Sequence, residues 1–83
     1  MSLEAGLLLI NKVVQLEQRA IQLYEDVAAT ATNPKIKAWA QKKVEDEKVD
    51  LEEALRIQEI LVRVKVEHPS PGETRIRLRG LQE

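Results

Sequence analysis

The sequence predicts a mainly α protein: an antiparallel helical hairpin that pairs with a second copy into a four-helix bundle, followed by a short C-terminal β-hairpin or extended tail. Three observations carry this. Apolar residues recur at alternating steps of four and three over most of the chain, a single Asn-Pro break divides that pattern, and the period drops to two after Leu61. With 83 residues there is room for one small domain, and 33 % charged against 43 % hydrophobic residues is the balance of a folded, water-compatible chain.

The first helix is expected from Leu3. Its apolar face reads Leu3, Leu7, Ile10, Val14, then Ile21, Tyr24, Ala28 and Ala31, with Glu17 in the place of one missing member. Ser2 suits the N-cap and Glu4 the positive first turn, and the helix is expected to stop near Thr32. Asn33 is a good N-cap for a second helix, and Pro34 fits its first position because the missing N–H would be unpaired there anyway. The second apolar series is Ile36, Ala40, Val44, Leu51, Ala54 and Leu61, with Gln58 as a polar member and Glu47 filling the gap between Val44 and Leu51.

Each helix thus carries one glutamate at a core position. A tight turn makes consecutive helices antiparallel neighbours. Glu17 lies 16 residues before Asn33 and Glu47 lies 14 after it, so at ~1.5 Å per residue both stand roughly 21–24 Å from the turn. The two glutamates are expected to face each other.

Beyond Leu61, Val62, Val64 and Val66 alternate with Arg63, Lys65 and Glu67; then HPSPGE intervenes, and Ile76 and Leu78 alternate with arginines. This is a hairpin pattern and divides the chain into 1–61, the helical hairpin, and 62–83, a β-hairpin or extended tail. The competing reading continues the second helix to about Glu67, with Pro69 as the stop; an isolated hairpin is marginal unless something covers it. Two helices alone cannot bury two apolar stripes, so a homodimer or higher homo-oligomer is the expected remedy.

Composition narrows the chemistry. Cysteine is absent, which excludes disulfides, thiolate-bound metals and thiol catalysis, and the one histidine, His68, sits beside Pro69 in a turn-like stretch. A net charge of −1 offers no electrostatic case for nucleic acid or anionic membrane. The apolar run 5–10 is too short to span a bilayer and lacks signal-peptide flanks, so a cytoplasmic location is expected. No Ser-His-Asp arrangement or phosphate-cradling glycine loop is present, so any catalysis has to come through a metal.

Carboxylates are the plausible ligands. Glu47 and Asp50 are spaced i, i+3 and project to one side, and Glu17 adds a third carboxylate at the same level. Such a group stays together only with protons or divalent cations, and oxygen-only ligation suits iron, manganese, magnesium or calcium. Plainer readings stand beside this one. Glu17 could pair with Arg19, Lys48 or a partner-chain lysine, Glu47 with Lys43, and Asp50 could be a solvated acid, as Glu45, Asp46, Glu52 and Glu53 are expected to be. Tyr24 and Trp39 read as core aromatics packed together near the turn.

The run EQRAIQLY, 17–24, resembles the E-x-x-A-x-x-x-Y of a rubrerythrin-type ferritin-like half-domain, and EKVD, 47–50, sits where that family has E-x-x-H. The likeness covers about residues 8–61. It implies a four-helix bundle around a dinuclear non-haem iron centre, with Glu17 a ligand, Glu47 a bridging ligand and Tyr24 a nearby hydroxyl. Ferroxidase or peroxide-reducing oxidoreductase activity is what the resemblance implies. Asp50 departs from the family histidine; being shorter and anionic, it favours harder ions, manganese or another divalent cation included. With half of the usual four helices, the site would form at a dimer interface, as in short encapsulated-ferritin-like chains. The tail segment RIRLRGLQE is a candidate contact for a protein partner.

Overall fold

The computed structural model describes residues 2–67, which form two helices, α1 (Leu3–Thr30) and α2 (Pro34–Glu67), packed against each other. Both starts follow from their caps. Ser2 is extended, and its hydroxyl oxygen accepts from the Ala5 N–H at 3.1 Å. Asn33 Oδ1 accepts from the N–H groups of Lys35 at 2.9 Å and Ile36 at 3.3 Å, satisfying donors that the first turn leaves unpaired.

α1 ends at Thr30, two residues before the position expected from its apolar series. The Thr30 hydroxyl donates back to the Asp26 carbonyl at 2.8 Å, and Ala31 is extended while its N–H still bonds the Val27 carbonyl. The chain needs only residues 31–33 to reverse direction, which makes the helices antiparallel as expected.

The expected strand at 62–66 is not formed: α2 runs unbroken through Leu61 to Glu67, so no boundary separates 61 from 62. Extending an existing helix adds one hydrogen bond per residue fixed, and the cost of a β-branched residue there is only a few tenths of a kcal/mol. A strand at this point would need a partner to cover it. Arg63 also bridges back to Glu59 at 2.8 Å, a spacing that only the helix makes adjacent. The rest of the expected hairpin, with His68 and RIRLRGLQE, lies outside the described residues.

Among the described residues only Val14, Ala40 and Ala54 are buried. Alanines at 40 and 54 let the helices approach closely, but the resulting seam is thin. It is pinned at both ends. Tyr24 and Trp39 meet edge to face near the turn, with ring centroids 5.5 Å apart and planes at 82°. Toward the open end, the Gln58 side-chain amide donates to Asn11 Oδ1. Trp39 corrects an expectation: it packs on Tyr24 as foreseen, yet it is 50 % exposed rather than a core residue. Leu16 at 68 % and Leu9 at 50 % show how much apolar surface the hairpin leaves open. No helix among the described residues is long and apolar enough to cross a membrane.

Candidate metal centre

Glu17 projects from the middle of α1 at the place its apolar series reserves for a core residue, and Glu47 does the same on α2. Helical spacing puts Asp50 one turn beyond Glu47 on nearly the same side. One carboxylate oxygen from each of Glu17, Glu47 and Asp50 lies within 4.8 Å of the others. Glu17 and Glu47 are half-buried, and Asp50 is exposed at the mouth. The three sequence-predicted ligands are therefore brought together across the hairpin.

The electrostatics of the cluster show in Glu17. Its pKa is pushed up from 4.5 to about 7, first because a protonated Glu17 can hydrogen-bond the Glu47 carboxylate, then through partial burial, and then by repulsion from the charges of Glu47 and Asp50. With both glutamates ionised there is no proton between them, and Glu17 Oε2 is a buried oxygen without a hydrogen-bond donor. A buried acceptor of that kind is costly unless a proton or a cation reaches it.

The pairings of these acids with cations of their own hairpin do not occur among the described residues. Lys42 pairs with Asp46 at 2.7 Å and Arg63 with Glu59 at 2.8 Å, both i, i+4 pairs within α2, and no ion pair links Arg19, Lys43 or Lys48 to Glu17 or Glu47. Asp46, expected to be a solvated outer acid, is one of the paired ones. Sequence reading also passed over Asn11 as the partner of Gln58. The signal was available in their heights, since Asn11 precedes Asn33 by 22 residues and Gln58 follows it by 25.

Nearer the turn, Glu25, Lys37, Gln41, Glu45 and Lys48 edge a shallow groove of mixed charge. It gathers no set of three metal-ligating groups, so among the described residues the chemistry concentrates on Glu17, Glu47 and Asp50. Comparison of the chain with protein-family models, curated proteins and solved structures finds no match.

Proposed function

We propose that this chain is a ferritin-like metal-binding protein in which Glu17, Glu47 and Asp50 hold a dinuclear carboxylate centre, with iron as the metal, at the interface of two hairpins forming a four-helix bundle. The observation that carries the reading is the convergence of three carboxylates from two helices within 4.8 Å, one oxygen of which is buried with no donor. A divalent cation satisfies that oxygen in place of the proton that Glu17 otherwise shares with Glu47.

The donor set fits the group. Three anionic oxygens suit iron or manganese, and the exposed Asp50 leaves the mouth accessible to an entering ion. Bound iron would supply the one-electron chemistry for its own oxidation or for reduction of oxygen or peroxide. The chain's part is to orient the three carboxylates. Glu17 and Glu47 are set by two capped helices, and Tyr24, two turns from Glu17 toward the turn, packs on Trp39 and stiffens that flank.

The direct test is anaerobic Fe(II) titration of chelator-stripped protein followed by air. Binding near one iron per chain, with the absorbance of oxo-bridged ferric iron developing on exposure to air, is the expected result. An intact oligomer that binds no iron would overturn the metal reading.

A second reading has one observation in its favour. A proton shared by Glu17 and Glu47 also satisfies both groups, so a metal-free hairpin serving only oligomerisation or partner binding accounts for the same geometry near neutral pH. Measured at pH 8, where Glu17 with a pKa of about 7 has largely lost its proton, the two separate: such a module is silent to Fe(II) and Mn(II), whereas a metal centre binds more tightly than at pH 6.

A further inference from the structure

Large apolar side chains are spread unevenly over the open surface of α2. Between residues 34 and 54 only Ile36, Trp39 and Val49 are exposed. Between residues 55 and 64 Leu55, Ile57, Ile60, Val62 and Val64 all are, at 37–56 %. Three of these, Ile57, Ile60 and Val64, follow at steps of three and four and form one row along the helix. Traced back toward the turn, the same row reads Glu53, Asp50, Asp46 and Lys43. One face of α2 thus changes from charged to apolar at Ile57. Beside that change lies a groove of about 460 Å³ between the start of α1 and the end of α2, lined by Leu3, Gly6, Leu9, Val13, Ile57 and Leu61.

We propose that residues 73–79 of the same chain occupy this groove in extended form, with Ile76 beside Leu61 and Leu78 between Leu9 and Ile57, and so tie the open ends of the two helices together. Neither the metal nor the pairing of two hairpins is needed for this.

The place of the groove selects this occupant. α2 ends at Glu67, and the sequence continues through HPSPG to the alternation Arg75, Ile76, Arg77, Leu78, Arg79. Pro69, Pro71 and Gly72 suit a reversal of direction. Leu61 lies roughly 9 Å back from Glu67 along the helix, and the extended residues 73–75 cover about 10 Å. Ile76 therefore arrives level with Leu61. The steps then match, because Ile76 to Leu78 spans ~6.6 Å along one side of an extended chain and Leu61 to Ile57 spans ~6 Å along the helix. The arginines fall on the opposite side, toward water. From there Arg79 can reach Glu53, which stands one turn from Ile57 on the same row and has no ion pair within the described hairpin.

A short segment arriving from Glu67 covers the apolar part of the row and leaves Lys43 to Glu53 in water, which a helix laid along the whole face would not do. Leu16 and Leu23 lie outside the groove and stay open for a second copy. The segment also meets a need of the hairpin. Residues 31–33 join the helices covalently at the turn, whereas at the other end the Gln58 to Asn11 hydrogen bond is the polar tie across the seam. Ile76 and Leu78 add an apolar one.

The absence of cysteine makes the test clean. In the full chain, Leu78→Cys is combined in turn with Leu9→Cys, with Ile57→Cys, and with Leu55→Cys, which stands at the height of Ile57 on the other side of α2. Leu9, Ile57 and Leu55 are exposed in the hairpin, so the substitutions leave its seam intact. The variants are oxidised in chelator, mixed with a mass-tagged copy so that bonds within a chain and between chains are told apart. Disulfides within one chain are expected from the Leu9 and Ile57 pairs, about tenfold or more faster than from the Leu55 pair. Equal rates for all three pairs would overturn the docking and leave the segment to another protein. Bonds between chains alone would overturn the occupant in favour of a second copy. As a measurement free of cysteine, Ile76→Asp with Leu78→Asp in the full chain is expected to lose amide-exchange protection over residues 3–13 and 57–67 and to keep it around Tyr24 and Trp39. Unchanged protection at the open end would overturn the proposal. Because every step is read in chelator, the expected pattern sustains it even where iron titration fails.

Discussion

The two stripes of α1 differ in one residue type. The stripe facing α2 contains Glu17 amid Leu7, Ile10, Val14 and Ile21, whereas the stripe of Leu9, Val13, Leu16, Ala20, Leu23 and Val27, which the described hairpin leaves partly open, is apolar without exception. An intrachain seam should be the safer place for apolar residues and an open face the safer place for charge. The inversion is what the proposed pairing of two hairpins requires. The open face of the hairpin is composed as an interior, and the carboxylate in its seam is placed for a proton or a cation rather than for water.

The comparison breaks most severely at Leu16. Replacing it with aspartate puts a charge into the proposed interface of two hairpins from both copies, and dimer affinity is expected to fall by about 10²–10³-fold, ~3–4 kcal/mol. Sedimentation over a concentration series measures this, and an unchanged affinity would return the open stripe to mere surface.

The seam is tested by Glu17→Gln. In chelator at pH 8 the variant should be more stable than the parent by ~1–2 kcal/mol, because it keeps a hydrogen bond to Glu47 without the repulsion; the figure is discounted for solvent screening. Urea unfolding reads it out, and a less stable variant would mean that the Glu17 charge serves the fold. The same substitution should abolish most Fe(II) binding.

The pH dependence sharpens the point. Glu17 holds its proton more tightly folded, with a pKa of about 7, than unfolded, near 4.5. Folding therefore takes up a proton between these values, and the Glu17 contribution to stability is fully present below pH 4.5 and is lost as pH rises through 7. Metal-free protein should accordingly lose stability between pH 5 and pH 8, and Glu17→Gln should flatten that slope. Equal slopes for parent and variant would refute the assignment.

Two smaller effects test the frame around the stripes. Asn33→Ala removes the side-chain acceptor for Lys35 and Ile36 and should cost about 1 kcal/mol. Gly6→Ala should gain about 0.5–1 kcal/mol, because a Cβ at Gly6 meets Leu61 Cδ1 at 3.8 Å, an ordinary contact, within a helix that favours alanine. Thermal melts of the two variants are expected to move in opposite directions.

Much of this was legible in the sequence because it depends on short-range rules. Ser2 and Asn33 announce the caps, Pro34 the start of α2, and the distances of Glu17 and Glu47 from Asn33 give their common height, since a helix rises by a constant step and the turn is short. The second stripe was legible by the same rule, at steps of three and four, but only the hairpin reveals that its members lie open while the first stripe is used. Tertiary structure alone decided the remainder. Val62, Val64 and Val66 alternate as a strand would, yet helix propagation from a packed α2 costs less than an uncovered hairpin. Trp39 has the composition of a core residue, but one hairpin has too little interior to bury it. The meeting of Asp50 with Glu17 and Glu47 within 4.8 Å depends on how closely two helices pack, a distance that Ala40 and Ala54 permit and that no single-chain periodicity contains.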